Sequence, residues 1–342
     1  MPAWWLPGPH AQTVGARWTR PRGGIRLERE RIALPDGDFL DLDWTRPIGG
    51  ADPTRAVAVV LHGLEGSARS GYALEAYRQL ERRGLAAVGL NFRSCSGELN
   101  RGRRLYHSGE TSDLRFVVGV LQRRYPEAWI GAVGFSLGGN VLLKYLAEES
   151  EERQRGADAA DARAAERGGV RAAAAISVPY DLAASAAFTE RGVARLYVRR
   201  LLRSLRAKVR ARQADLGVML DLRRALAART FREFDDAATA PLHGFRDADD
   251  YYARSSSAAY LAAIRVETLL IHAADDPFLP ACVIPYDAVS VNRRLWPLFV
   301  ARGGHVGFVT GHPWRRWYWA ETRAAEFLAA RRAARDRGLQ GS

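Results

Sequence analysis

The pentapeptide Gly134-Phe135-Ser136-Leu137-Gly138 sets a serine between two glycines, after an apolar run at 130–135 and before an apolar helical run at 141–147. Strand, sharp turn and helix in that order expose a serine hydroxyl at the tip of the turn, as in a nucleophile elbow. At Gly134 and Gly138 a Cβ would collide with the neighbouring strand or helix. The helix behind the serine directs its N–H groups at the place where an oxyanion would form. The chemistry this suggests is acyl transfer through serine, which needs a base and an orienting acid within hydrogen-bond reach.

In an elbow-type sheet these partners follow in the order serine, acid, histidine, each on a loop after a later strand. Of the seven histidines, only His305 and His312 lie beyond both the serine and a plausible acid. His305 is favoured, because Gly303-Gly304-His305-Val306-Gly307 directly follows an expected strand at 298–301 and small residues let the ring swing over the serine. His312 precedes Pro313 and is the other candidate. The acid is expected in Ala273-Ala274-Asp275-Asp276-Pro277-Phe278-Leu279-Pro280. Asp276 occupies the acid position of a Gly-x-x-Asp-x-x-Val-Pro pattern, with Ala273 for the Gly and Leu279 for the Val. Asp275 suits holding the loop, and Asp181 is an outside candidate. An oxyanion hole is expected from the amides of Leu64 and Leu137, with Leu64 in the Gly-rich loop His62-Gly63-Leu64-Glu65-Gly66. The alternative reading of that loop is a simple turn; a phosphate cradle would need Gly-x-x-x-x-Gly-Lys-Ser/Thr, which is absent.

The elements that must hold these groups alternate as strand and helix. Apolar strands are expected at 56–61, 86–91, the elbow strand, 170–178, 266–272 and 298–301, with helices at 72–83, up to 124, and 314–331. A hairpin is expected at 26–33 and 39–44 around Pro35-Asp36-Gly37-Asp38. That spacing is the signature of a mostly parallel sheet with right-handed crossovers. Residues 1–24 read as an arm packed on the domain, in which His10 packs or hydrogen-bonds. The Ala/Arg/Glu/Asp tract 148–169 reads as a solvated or partly disordered insertion. Residues 182–256 break the alternation with amphipathic helices near 189–209 and 213–229. Such a block between two strands is a lid or a dimerisation element, and the oligomeric state is left open.

The 342 residues suffice for one large α/β domain, and no apolar run is long enough to span a membrane. The start of the chain lacks the basic region of a signal peptide, so a cytoplasmic location is the expectation. Cys95 and Cys282 suggest neither a disulfide framework nor a metal knuckle, and Cys95 reads as a small loop residue. Neither a metal nor a cofactor is expected. The formal charge of +13 reads first as an arginine-rich surface, leaving room for weak association with an anionic membrane surface; no nucleic-acid motif accompanies it.

Several segments together resemble the YheT-like branch of the α/β-hydrolase superfamily: His62-Gly63-Leu64-Glu65-Gly66, Phe92-Arg93-Ser94-Cys95-Ser96-Gly97-Glu98, Tyr106-His107-Ser108-Gly109-Glu110-Thr111, the elbow through Asn140, the run 231–236, the run 272–278, and Gly303-Gly304-His305-Val306-Gly307-Phe308. His10-Ala11-Gln12-Thr13 resembles that family's N-terminal His-x-Gln-Thr. The resemblance implies an α/β-hydrolase fold with a helical lid and a triad on Ser136, Asp276 and His305. It also implies esterase or lipase activity on a small-molecule acyl ester, short- to medium-chain or lipid-like, without a cofactor. Two alternatives remain: acyl transfer to an alcohol, and a non-catalytic lipid-binding protein.

Overall fold

The computed structural model describes residues 2–45, 56–155 and 169–340. Its main sheet has eight strands: β1 (Glu28–Ala33), β2 (Phe39–Trp44), β3 (Ala56–Leu61), β4 (Ala86–Leu90), β5 (Trp129–Phe135), β6 (Ala172–Ile176), β7 (Glu267–Ala273) and β8 (Leu295–Val300). They lie in the order β1-β2-β4-β3-β5-β6-β7-β8. β1 and β2 form the expected antiparallel hairpin, β2 pairs antiparallel with β4, and the pairs from β4 to β8 are parallel. This is the expected mostly parallel α/β sheet.

β3 to β6 are buried along their whole length because helices cover both faces. In β3 the side chains alternate, so Val57, Val59 and Leu61 join one apolar core and Ala56, Ala58 and Val60 the other. Leu114, Val117 and Leu121 of the helix Ser112–Arg124 and Val141 of the helix Leu137–Arg155 complete the first core. Tyr77 and Leu80 of the helix Gly71–Glu81 and Leu328 of the helix Trp319–Gln340 complete the second.

The register levels the carboxyl ends of the strands. Leu61 pairs with Gly134, Phe135 with Ile176, Ile176 with Ile271, and Ala273 with Val300. Loops that leave these ends therefore meet at one edge, where open α/β sheets assemble their ligand sites.

Between β6 and β7 the chain forms a helical block with its own apolar cluster, built on Val198, Leu202, Leu216 and Phe234. Its longest member is Ala194–Ala211. The helix expected over 213–229 is two pieces, Gln213–Leu216 and Leu222–Ala227, because the Asp221 carboxylate caps the second by accepting from the Arg224 amide. One turn of π-helix, Asp235–Thr239, interrupts the block.

The closing helix also departs from expectation. It starts at Trp319, and the residues before it form a hairpin, β9 (Val309–His312) with β10 (Arg315–Tyr318). The aromatic pair Trp317-Tyr318 suits a strand, the turn is Pro313-Trp314, and Gly311 in β9, at φ +79°, runs against β10, where a Cβ would meet Arg315 O at 2.4 Å. The N-terminal arm contains a helix, Gly8–Thr19. Residues 148–155 of the charged tract continue the elbow helix, and 156–168 lie outside the described residues. Among the described residues no helix is long and apolar enough to cross a membrane.

Candidate active site

Ser136 sits between β5 and the elbow helix with φ +51°, a strained conformation for a residue with a side chain. Such a conformation costs about 1–3 kcal/mol and persists only where the surroundings over-determine it. Here the Ser136 amide donates to Ile176 O at 2.8 Å and its carbonyl accepts from the Asn140 amide at 3.1 Å. The flanking glycines are required by contact. A Cβ on Gly134 would meet Gly138 O at 2.6 Å, and one on Gly138 would meet His62 O at 2.5 Å. The elbow is therefore wedged against the 62–66 loop, and Gly63 in that loop also runs close beside Ser136: a Cβ there would lie 3.2 Å from the Ser136 Cβ.

His305 bridges the serine and an acid. Its Nε2 is 3.0 Å from Ser136 Oγ and its Nδ1 is 2.8 Å from Asp276 Oδ2. With Nδ1–H directed at the carboxylate, Nε2 is free to accept from the hydroxyl. The Asp276 side chain is fully buried, and its Oδ1 accepts from the Phe278 amide at 2.8 Å. Asp275 Oδ1 instead accepts from the amides of Gly303 and Gly304, at 2.8 and 2.9 Å, and so holds the histidine loop. Asp181 caps the helix Leu182–Thr189 through the Ala184 amide. His312 lies in β9 with its ring stacked on Trp314 at 5.2 Å.

Leu64 and Leu137 line the same cavity as Ser136; Leu64 lies in the loop wedged against the elbow, and Leu137 opens the elbow helix, where a first-turn amide has no intrahelical acceptor. Two uncommitted N–H groups beside a hydroxyl are what a developing oxyanion requires. The rest of the 62–66 loop is fixed. His62 is wholly buried, donates from Nδ1 to Gly63 O at 2.8 Å and accepts at Nε2 from the Phe92 amide at 3.1 Å. Burial pushes its pKa down to about 4, so this histidine is a neutral strut. The Gly63 amide donates to Tyr72 Oη and the Glu65 amide to Tyr106 Oη.

Sequence reasoning missed several supports. The His305 amide donates to Thr13 Oγ1 at 2.9 Å, and buried Gln12 accepts from the Val309 amide at 2.9 Å. The arm thus grips the histidine loop, and the segment 10–13 was the available signal. Asn140 ties the elbow helix to the helical block: its Nδ2 donates to Ser108 O and Ser255 O, and its Oδ1 accepts from the Ser257 amide. Arg93 is structural, its guanidinium buried against Asp113 and Asp38. Burial raises the Cys95 thiol to about 11, which makes it a poor nucleophile.

A cavity of about 1430 Å³ opens over Ser136 and His305, walled on its far side by residues of the helical block such as Leu196, Phe234 and Tyr252. Glu65 reaches that block: its Oε1 lies 2.7 Å from Lys208 Nζ and accepts from Tyr106 Oη at 2.7 Å. Among the described residues no cluster of side chains could hold a metal ion.

No family model matches the chain. It is 38% identical over 321 residues to the Escherichia coli (strain K12) protein named "Putative esterase YheT", an alignment covering 93% of this chain and 89% of that protein. It is 29% identical to the mouse protein named "Phospholipase ABHD3", over 91% of this chain and 73% of the relative. It is 30% identical to the yeast "Monoacylglycerol lipase", over 78% of this chain and 58% of that protein. Among solved structures, an esterase of Pyrococcus furiosus, Pf2001, superposes with a TM-score of 0.56 at 19% identity, covering 91% of this chain and 96% of the other; that likeness concerns the fold alone. The sheet order, the elbow and the 38% identity over nearly the full length of the Escherichia coli protein agree: the chain belongs to the YheT-like branch of the α/β-hydrolase superfamily.

Proposed function

We propose that Ser136, His305 and Asp276 are the catalytic apparatus of this carboxylic ester hydrolase and that its substrates are acyl esters. The observation that carries the reading is the His305 ring spanning Ser136 Oγ and the buried Asp276 carboxylate, at 3.0 and 2.8 Å. In this reading His305 Nε2 takes the Oγ proton as Oγ attacks the carbonyl carbon, while Asp276 holds the tautomer and stabilises the imidazolium. The amides of Leu64 and Leu137 receive the oxyanion, each stabilising it by about 3 kcal/mol. Collapse of the tetrahedral intermediate breaks the ester C–O bond, and His305 returns the proton to the departing alcohol. A water, deprotonated by the same ring, then releases the acid and restores Ser136.

The helical block serves as a lid over the acyl pocket in this proposal, because it walls the cavity above the serine. A cytoplasmic site of action belongs to the same proposal. The test is covalent labelling by a fluorophosphonate together with turnover of an ester chain-length series. Wild-type protein should label and hydrolyse, and Ser136→Ala should do neither, its turnover falling on the order of 10⁶-fold. A folded wild-type protein that neither labels nor cleaves any ester in the series would end the proposal.

A further inference from the structure

The arm helix Gly8–Thr19 and the helix Ala194–Ala211 meet at His10 and Tyr197, with Nδ1 and Oη 3.1 Å apart and the rings stacked at 5.8 Å. Two turns along the first helix, on the same face, comes Arg17; about one turn along the second comes Arg200. Both line the cavity above Ser136, together with Arg22, Arg199 and Arg203. Among the described residues none of these five has a carboxylate partner. The other cations on the cavity wall are matched: Arg20 with Glu321 at 2.6 Å, Arg69 with Asp43 at 2.8 Å, and Lys208 with Glu65 at 2.7 Å.

The anionic side of the cavity is already committed. Its two acidic side chains are Glu65, bound to Lys208, and Asp235. Asp235 accepts from Thr239 Oγ1 and Tyr252 Oη, and burial pushes its pKa up to about 6. The five arginines, all solvent-exposed, therefore line the cavity without a compensating carboxylate. Arg17 shows the consequence: burial first, then Arg200 and Arg22, lower its pKa. Crowding like charges without a partner costs stability, and a cleft of one sign with apolar walls concentrates its field on what enters.

We propose that this wall recognises an anionic group carried by the substrate, so that the preferred esters bear a carboxylate or phosphate away from the scissile bond. The inference rests on the ester-hydrolase reading and adds the charge of the substrate to it. A guanidinium fork suits either oxyanion. The arginines line the same cavity as Ser136, which favours a group on the substrate itself over a separate lipid surface.

The test uses two medium-chain 4-nitrophenyl esters, alike except that one acyl chain ends in methyl and the other in carboxylate. Wild-type kcat/KM should favour the carboxylate by about tenfold in about 20 mM salt, and the preference should shrink in about 0.5 M salt. Arg17→Gln/Arg200→Gln should abolish the preference while turning over the methyl-ended ester at the wild-type rate. That rate also shows the variant to be folded. Hydrolysis of both esters without a preference, or a preference that survives in the double variant, would overturn this inference and leave the esterase standing. Hydrolysis of neither ester by wild type would overturn both. Sedimentation with phosphatidylglycerol and phosphatidylcholine vesicles separates the sources of the anion. If the double variant loses phosphatidylglycerol binding but keeps the soluble preference, the arginines meet a lipid surface and the inference fails.

Discussion

The His305 backbone amide donates to Thr13 Oγ1 at 2.9 Å, so a helix near the start of the chain holds the loop that brings the imidazole to Ser136. Thr13 is itself anchored, its hydroxyl donating to Pro9 O at 2.7 Å. Thr13→Val keeps the volume and deletes the acceptor. It should lower kcat by about 10- to 100-fold, the range expected from a small misplacement of a reacting group, with KM little changed. Thr13→Ser should recover the rate. Steady-state kinetics on any cleaved ester decides this, and wild-type kcat in Thr13→Val would show that the arm does not position the ring.

The two neighbouring aspartates should separate cleanly. Asp276→Asn removes the carboxylate 2.8 Å from His305 Nδ1 and should lower kcat on the order of 10⁴-fold. Asp275→Asn leaves that contact intact and weakens only the grip on Gly303 and Gly304. Its loss should be about tenfold. Equal losses would mean that the roles are misassigned.

Lys208 and Glu65 form an ion pair with side chains 13% and 5% exposed, linking the helical block to the loop that carries the Leu64 amide. Lys208→Met strands a buried carboxylate and should cost about 3 kcal/mol in urea unfolding. Adding Glu65→Gln removes the stranded charge, so the double variant should regain most of that loss. A double variant no more stable than Lys208→Met would refute the pair's role.

Acid should destabilise the protein through its buried neutral histidines. Burial sets the His62 pKa at about 4 in the folded state against an ordinary 6.5. Between those values the unfolded chain binds the proton and the folded chain does not, so stability is full above pH 6.5 and falls as pH drops towards 4. The slope is about 1.4 kcal/mol per unit for one such histidine. His243 and His272 are also held down to about 4 by burial and add to it. Urea midpoints at several pH values measure the slope, and His62→Gln should lower it by about 1.4 kcal/mol per unit, leaving the share of the other histidines.

How much of this was legible follows from where each signal resides. The elbow glycines, the apolar strands and the order serine, aspartate, histidine are local, because one strand or turn demands particular residues at fixed spacing. The strand Arg315–Tyr318 is only four residues long and abuts the helix that starts at Trp319, so it is too short to show a period of its own and reads as part of that helix. The helix over 213–229 was overextended because the cap at Asp221 competes with continuation of the helix, and spacing alone does not decide between them.

What the sequence by itself determined is the set of reacting groups, their order and the sheet that carries them. Backbone sterics and apolar periodicity act over a few residues and leave a readable pattern. Only the tertiary structure decided that Thr13 grips the loop of His305 across 292 positions, that Glu65 meets Lys208, and that five arginines from the arm and the helical block line one cavity. Those relationships arise when the arm and the helical block close over the ends of the strands. They depend on packing between distant segments, which has no local period to betray it.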